Sequence, residues 1–263
     1  DVLQRILTAG GYMKELKYKV TGNRQIAAGT YEMILEGMSD GCSDIIKNPG
    51  QFINIKLDGF FLRRPISVCD WDGNRITIIY KIVGRGTEAM SRYEEGRVLD
   101  ILVPLGNGFD ISVSGDAPVL IGGGAGVPPM YGLCKALLAA GKHPSVVMGF
   151  NTSDEVFYIE EFRKLGVEPV VTTADGSVGI KGFVTDALKD MDFTYIYTCG
   201  PEPMLRAIDR TADESVRGQM SFEERMGCGF GACMGCSCKT RYGNKRICKE
   251  GPVLERGEII WEK

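Results

Sequence analysis

The chain has 263 residues, a formal net charge of −3 and 44% apolar residues, enough for two domains with real cores and a small appendage. The charge balance gives no reason to expect a nucleic-acid or membrane partner. No apolar run reaches the roughly eighteen residues of a membrane helix, and the start, Asp1-Val-Leu-Gln-Arg, lacks signal-peptide character, so a cytoplasmic protein is expected. A single histidine, His143, nearly excludes a histidine-based metal site or catalytic triad. The chemistry has to come from bound cofactors.

Residues 1–12 read as an extension of unassigned role. From there to about residue 112 the pattern is β-rich. Candidate strands are Lys17–Thr21, Thr30–Glu36, Phe52–Leu57, Ile66–Cys69, Arg75–Val83 and Val98–Pro104, separated by Gly, Asp or Asn. Short strands at this spacing predict a small antiparallel barrel. Arg64-Pro65-Ile66-Ser67 on one of them can grip a phosphate through Arg64, with Ser67 reaching a ring or phosphate atom. Downstream, Ile79-Tyr80-Lys81 and then Gly86-Thr87 precede a short helix predicted over Glu88–Tyr93, whose free amides suit a pyrophosphate. A plain glycine turn capped by Thr87 explains that turn but leaves the basic pair Arg63-Arg64 without a role.

From about 118 to 217 strands and helices alternate, which predicts a doubly wound parallel sheet. The run Gly122-Gly123-Gly124-Ala125-Gly126 follows an apolar strand and opens a helix with Pro128 in its first turn. It does not match the G-x-G-x-x-G fingerprint but suits a nucleotide at the strand's carboxyl edge. After the next strand, Asp154 and Glu155 favour a free ribose over a 2′-phosphate, hence NAD(H) over NADP(H). Cys199-Gly200-Pro201 ends the last strand of this region, at the edge where ligands sit; a structural turn is the competing explanation.

Five of the nine cysteines lie within residues 228–248. Cys228, Cys233, Cys236 and Cys248 read as C-x4-C-x2-C-x11-C, a spacing that can enclose a [2Fe–2S] cluster. Zinc is the competing metal, but it is normally held by C-x2-C pairs, and only Cys233 and Cys236 form one. Cys238 reads as a bystander. The segment 218–263 is too small for its own core, so a cluster would staple it.

The order R-P-I-S, G-x-G-T, G-G-G-x-G-x-x-P, C-G-P and then the four cysteines resembles the ferredoxin–NADP reductase superfamily with a C-terminal [2Fe–2S] segment. The run Cys228–Lys239 is similar to that of the electron-transfer subunits of class 1B dihydroorotate dehydrogenases. The resemblance implies an FAD-binding β-barrel over 13–112, an NAD-binding α/β domain over 113–217 and a [2Fe–2S] domain over 218–263. It places Arg64, Pro65, Ile66, Ser67, Ile79, Tyr80, Lys81, Gly86 and Thr87 on FAD. It places Gly122, Gly123, Gly124 and Gly126 with Cys199, Gly200 and Pro201 on NAD, and the four cysteines on the cluster. It further implies an FMN-containing catalytic partner in a heterotetramer, with electrons passing from dihydroorotate to NAD+ in pyrimidine biosynthesis. Because a nicotinamide carries two electrons together and a cluster one, a flavin must stand between them. The same module serving a hydrogenase, a sulfite reductase or a ferredoxin–NADP transhydrogenase is the alternative.

Overall fold

The computed structural model describes residues 7–8 and 11–261. The extension expected over 1–12 falls for most of its length outside them.

Six strands close into an antiparallel barrel: β1 (Lys14–Ala27), β2 (Thr30–Gly37), β3 (Phe52–Ile55), β4 (Arg64–Asp72), β5 (Arg75–Lys81) and β6 (Val98–Leu105), in the order β1-β2-β5-β4-β3-β6. Alternation explains the closure. Ile53 and Ile55 of β3, Ile76 and Ile78 of β5, and Ile101 and Val103 of β6 all turn into one buried core, while the residues between them face outward. Helix α1 (Arg85–Ser91) follows β5 and starts three residues earlier than the sequence suggests, so Gly86 and Thr87 lie inside its first turn.

The second region is a seven-stranded sheet. Its members are β7 (Val119–Gly123), β8 (Ser145–Phe150), β9 (Val170–Thr173), β10 (Ile180–Lys181), β11 (Tyr195–Cys199), β12 (Arg217–Ser221) and, near the end of the chain, β15 (Val253–Glu255). The order is β10-β9-β8-β7-β11-β12-β15, parallel except for the last pair. The direction of winding reverses between β7 and β11, where open α/β sheets bind ligands. Helices α2 (Val127–Ala139), α3 (Ile159–Lys164), α4 (Val184–Leu188) and α5 (Glu202–Thr211) cover the sheet.

The sheet does not stop at residue 217. β12 and β15 bracket the cysteine-rich segment, whose hairpin β13 (Ser237–Thr240) and β14 (Gly243–Arg246) stands apart as its own two-stranded ladder. Cys236, Ile247, Cys248 and Leu254 join the apolar core of Ile121, Ile196 and Met220. The segment thus borrows a core from its neighbour.

Polar bridges lock the barrel to the α/β region. The Tyr158 hydroxyl donates to Glu32 at 2.7 Å, Lys81 meets Glu155 at 2.6 Å and Lys135 meets Asp70 at 2.6 Å. Among the described residues, no helix is long and apolar enough to cross a membrane.

Candidate functional site: two joined cavities and a cysteine loop

Two cavities meet at the seam between barrel and sheet. The smaller, about 340 Å³, is lined by Arg64, Pro65, Ile66 and Ser67 from β4, by Ile79, Tyr80 and Lys81 from β5, and by Thr87 and Cys199. Nearly every residue that the sequence assigns to FAD therefore faces one space. Gly86 is the exception, and its position is informative. A Cβ there would come within 2.2 Å of Arg64 Nε, so the glycine exists to let the guanidinium lie across the start of α1. Arg64 also sits over the Phe60 ring at 5.0 Å and donates to the Leu62 carbonyl at 2.6 Å. This pre-set fork suits a phosphate. Thr87 has a structural duty as well. Its hydroxyl donates to Gly84 O at 3.1 Å and accepts from Val83 N at 3.0 Å, closing the turn.

The larger cavity, about 550 Å³, lies over the switch between β7 and β11 and is lined by Gly123, Gly124, Pro201, Met204, Gly149 and Phe183 among others. Gly122, Gly126 and Gly200 do not line it. A Cβ on Gly126 would stand 2.0 Å from Cys199 O, so the glycine turn packs directly on the C-G-P turn. Gly200, with φ +158°, lies against Gly123 and Met204. The structure thus brings the two predicted NAD motifs together, but it turns Cys199 toward the smaller cavity. Burial pushes the Cys199 thiol up to about 12, so it stays protonated and acts by shape.

Glu155 lines the larger cavity, and its carboxylate also takes Lys81 Nζ at 2.6 Å and Asn151 Nδ2 at 2.9 Å, which ties it to the seam. Lys81 correspondingly lines both cavities. The sequence also missed Glu223, which lines both cavities just past the end of β12. Glu223 is exposed by surface area, but that surface opens into the two cavities while protein crowds its carboxyl, and this burial pushes its pKa up. An acidic pair at the carboxyl edge of a parallel strand was the available signal. It became readable only once β12 was known to be a strand.

In the cysteine loop Cys236 and Cys248 form a close sulfur pair, and backbone amides gather on Cys228. Cys236 and Cys248, both buried, lie 3.2 Å apart between sulfurs, and Cys248 N donates to Cys236 Sγ at 3.4 Å. Cys233, exposed, donates its backbone N–H to Cys228 Sγ at 3.4 Å. Ala232 N and Phe230 N converge on the same sulfur at 3.2 Å and 3.5 Å. Burial alone would raise the Cys228 pKa, but these amides outweigh it and bring the thiol down to about 7. The thiolate is the form that ligates metal. Burial and the neighbouring Cys236 push Cys248 the other way, a strain that a shared cation relieves. Among the described residues no three of these thiols are gathered as a ready metal site; the close Cys236–Cys248 pair, with the amide-bonded Cys228 and with Cys233, is the donor set that a two-iron cluster would take, two thiolates to each iron. A single zinc ion would ask all four to close around one point. Cys238 sits apart on β13, opposite Lys245.

Comparison with known proteins agrees with this geometry. Residues 223–260 match the family described as the iron–sulfur cluster binding domain of dihydroorotate dehydrogenase B, and residues 120–210 match the oxidoreductase NAD-binding domain. Electron transfer subunits of dihydroorotate dehydrogenase B (NAD(+)) from Bacillus mycoides and Bacillus cereus strain G9842 are each 40% identical over 265 and 262 residues, covering 94% of this chain and 99% of theirs. A solved structure of an NADH-dependent reduced ferredoxin–NADP oxidoreductase superposes with a TM-score of 0.83 at 29% identity, covering 93% of this chain and 90% of that one. Phthalate dioxygenase reductase shares the fold, with a TM-score of 0.67 at 15% identity over 86% and 87% of the two chains. With relatives this similar along almost its whole length, the chain belongs to the family of electron transfer subunits of dihydroorotate dehydrogenase B (NAD(+)).

Proposed function

We propose that this chain relays electrons between an FMN-containing dihydroorotate dehydrogenase subunit and NAD+, in a cytoplasmic heterotetramer of two plus two that serves pyrimidine biosynthesis. When bound, the flavin exchanges hydride with the nicotinamide and single electrons with the cluster, so no side-chain acid or base is demanded of the protein. The chain's own residues bind, orient and shield.

The barrel, residues 13–112, carries FAD. Arg64, lying over Gly86 at the start of α1, takes the pyrophosphate, and Pro65–Ser67 with Ile79–Lys81 form the wall for the ring system. The α/β region, residues 113–217, carries NAD on the Gly122–Gly126 turn, with Pro201 and the flanking Cys199–Gly200 turn fixing how deeply the nicotinamide enters. Glu223 stands where the two cavities join and holds a polar group there. Residues 218–263 carry the cluster on Cys228, Cys233, Cys236 and Cys248.

The observation that carries this reading is the meeting of the two cavities over Lys81, Ala125 and Glu223. Nucleotides bound in them would lie against the same three residues. The ferredoxin–NADP oxidoreductase match keeps the alternative partner class in view, and its 29% identity against 40% favours the dihydroorotate system. The test is reconstitution of the purified chain with an FMN-type dihydroorotate dehydrogenase subunit under anaerobic conditions. Dihydroorotate-dependent NAD+ reduction by the complex, and by neither part alone, supports the proposal. A stable flavin and cluster with no such reduction would assign the relay to another donor.

A further inference from the structure

Strand β3 divides its side chains between two environments. Ile53 and Ile55 fill the barrel core, so Phe52 and Asn54 point out through the opposite face. Phe52 lines the smaller cavity. Asn54 stands directly across from Pro65, another lining residue of that cavity, and is 1% exposed. A buried amide on an outward strand face needs a reason, because an apolar side chain would pack there at no polar cost.

The reason lies in the cysteine loop. Asn54 Nδ2 donates to Cys228 O at 3.4 Å, while its Oδ1 has no hydrogen-bond partner. Turning the amide over would set oxygen against oxygen, so only this orientation serves. The next residue confirms how closely the two segments press together. Gly229 has φ +80°, and a Cβ on it would come 2.3 Å from Asn54 Nδ2. The Cys228–Gly229 peptide is therefore clamped to the barrel at the point where the loop turns back to aim its amides at Cys228 Sγ.

We propose that Asn54 is a positioning residue that fixes the Cys228 side of the cluster loop against the flavin wall of the barrel. The idea rests on the flavin and cluster assignments above and adds the element that holds the two sites in one geometry. Asn54 touches neither the nicotinamide cavity nor a cluster sulfur, so its influence is on spacing and rigidity.

The test uses the full chain loaded with FAD and cluster, in the variants Asn54→Leu, which keeps the branching and the number of side-chain heavy atoms and deletes the donor, and Asn54→Asp, which keeps shape and reverses it. Both are expected to retain FAD and iron and to accept electrons from NADH onto the flavin at the unaltered rate. Iron loss to a chelator is expected to rise roughly two- to tenfold, the factor for one modest hydrogen bond. The electron paramagnetic resonance signal of the reduced cluster is expected to shift, and onward transfer from flavin to cluster to slow, more in Asn54→Asp than in Asn54→Leu. Wild-type chelator kinetics and an unshifted signal in both variants would overturn the proposal. So would joint loss of FAD and cluster in Asn54→Leu, which would mark the residue as packing alone. Absence of a cluster in the wild-type chain would instead overturn the functional reading beneath it.

Discussion

The turn after β7 and the cysteine loop are both rich in glycine, yet the glycines do different work. At Gly122–Gly126 they let backbone meet backbone: a Cβ on Gly126 would collide with the Cys199 carbonyl at 2.0 Å. That shape is held by packing inside the sheet and needs no ligand to persist. In the cysteine loop, Cβ atoms on Gly227 and Gly235 would meet only Cys233 Sγ, at 3.2 Å and 3.5 Å, while those on Gly229 and Gly231 would meet the side chains of Asn54 and Lys249. There the shape is held by side-chain contacts such as that of Asn54, by amides aimed at sulfur and by four thiols that want a cation. One loop is built by the fold and the other is completed by its cofactor. Substitutions should accordingly be felt in stability at the first and in metal content at the second.

The largest expected effect is at the second loop. Cys233→Ser replaces an exposed thiol, so the fold should survive, while iron and the visible absorbance of the cluster are lost and coupled turnover with the partner falls to background. Flavin reduction by NADH should continue. Retained iron with full coupled activity would break the comparison at its strongest point.

Arg64→Ala comes next. Removing a charge-assisted donor pair from a phosphate is expected to weaken FAD by about 1.5–3 kcal/mol, roughly ten- to a hundredfold in affinity. Flavin content after gel filtration reads this directly. Unchanged flavin would remove Arg64 from the phosphate and leave Gly86 without its purpose.

Gly126→Ala sharpens the contrast itself. Overpacking the junction of the two turns is expected to cost about 1–3 kcal/mol, seen as a fall in Tm. Gly235→Ala, whose Cβ would make an ordinary contact, should leave Tm within the scatter of surface substitutions. Equal effects would mean that the two loops are held by the same means.

Much of this architecture was legible because it rests on local periodicity. All six barrel strands and the strand–helix alternation follow from side-chain patterns only a few residues long. What stayed hidden depends on distant pairing. β12 is Arg217-Gly-Gln-Met-Ser, too polar and glycine-broken to announce a strand, and it becomes one by pairing with β11 on one side and β15 on the other. The same blindness concealed Asn54, whose partner is 174 residues away. Glu155 shows the same limit: its acidity was visible, but its partner Lys81 comes from another part of the chain. Two cations of the cysteine-rich segment likewise find partners that only folding reveals, Lys245 with Glu258 and Arg246 with Glu250, and these pairs tie down the hairpin.

The smallest expected effect belongs to Glu223, and its sign follows from burial. Crowding raises its folded pKa above the ordinary glutamate value, so the neutral acid is the form that folding favours. The associated stability is fully present below the unfolded pKa of about 4.3 and is lost as pH rises through the raised folded value. Glu223→Gln keeps the shape and carries no charge to desolvate. Its Tm should therefore match wild type in acid and gain on it as pH climbs toward neutrality. Binding of a nucleotide should widen that gap, because the ligand closes the cavities onto which the carboxyl still opens. A gap that does not change with pH would show that solvent in the cavities hydrates Glu223 fully, and that the junction between the two sites is wetter than its packing suggests.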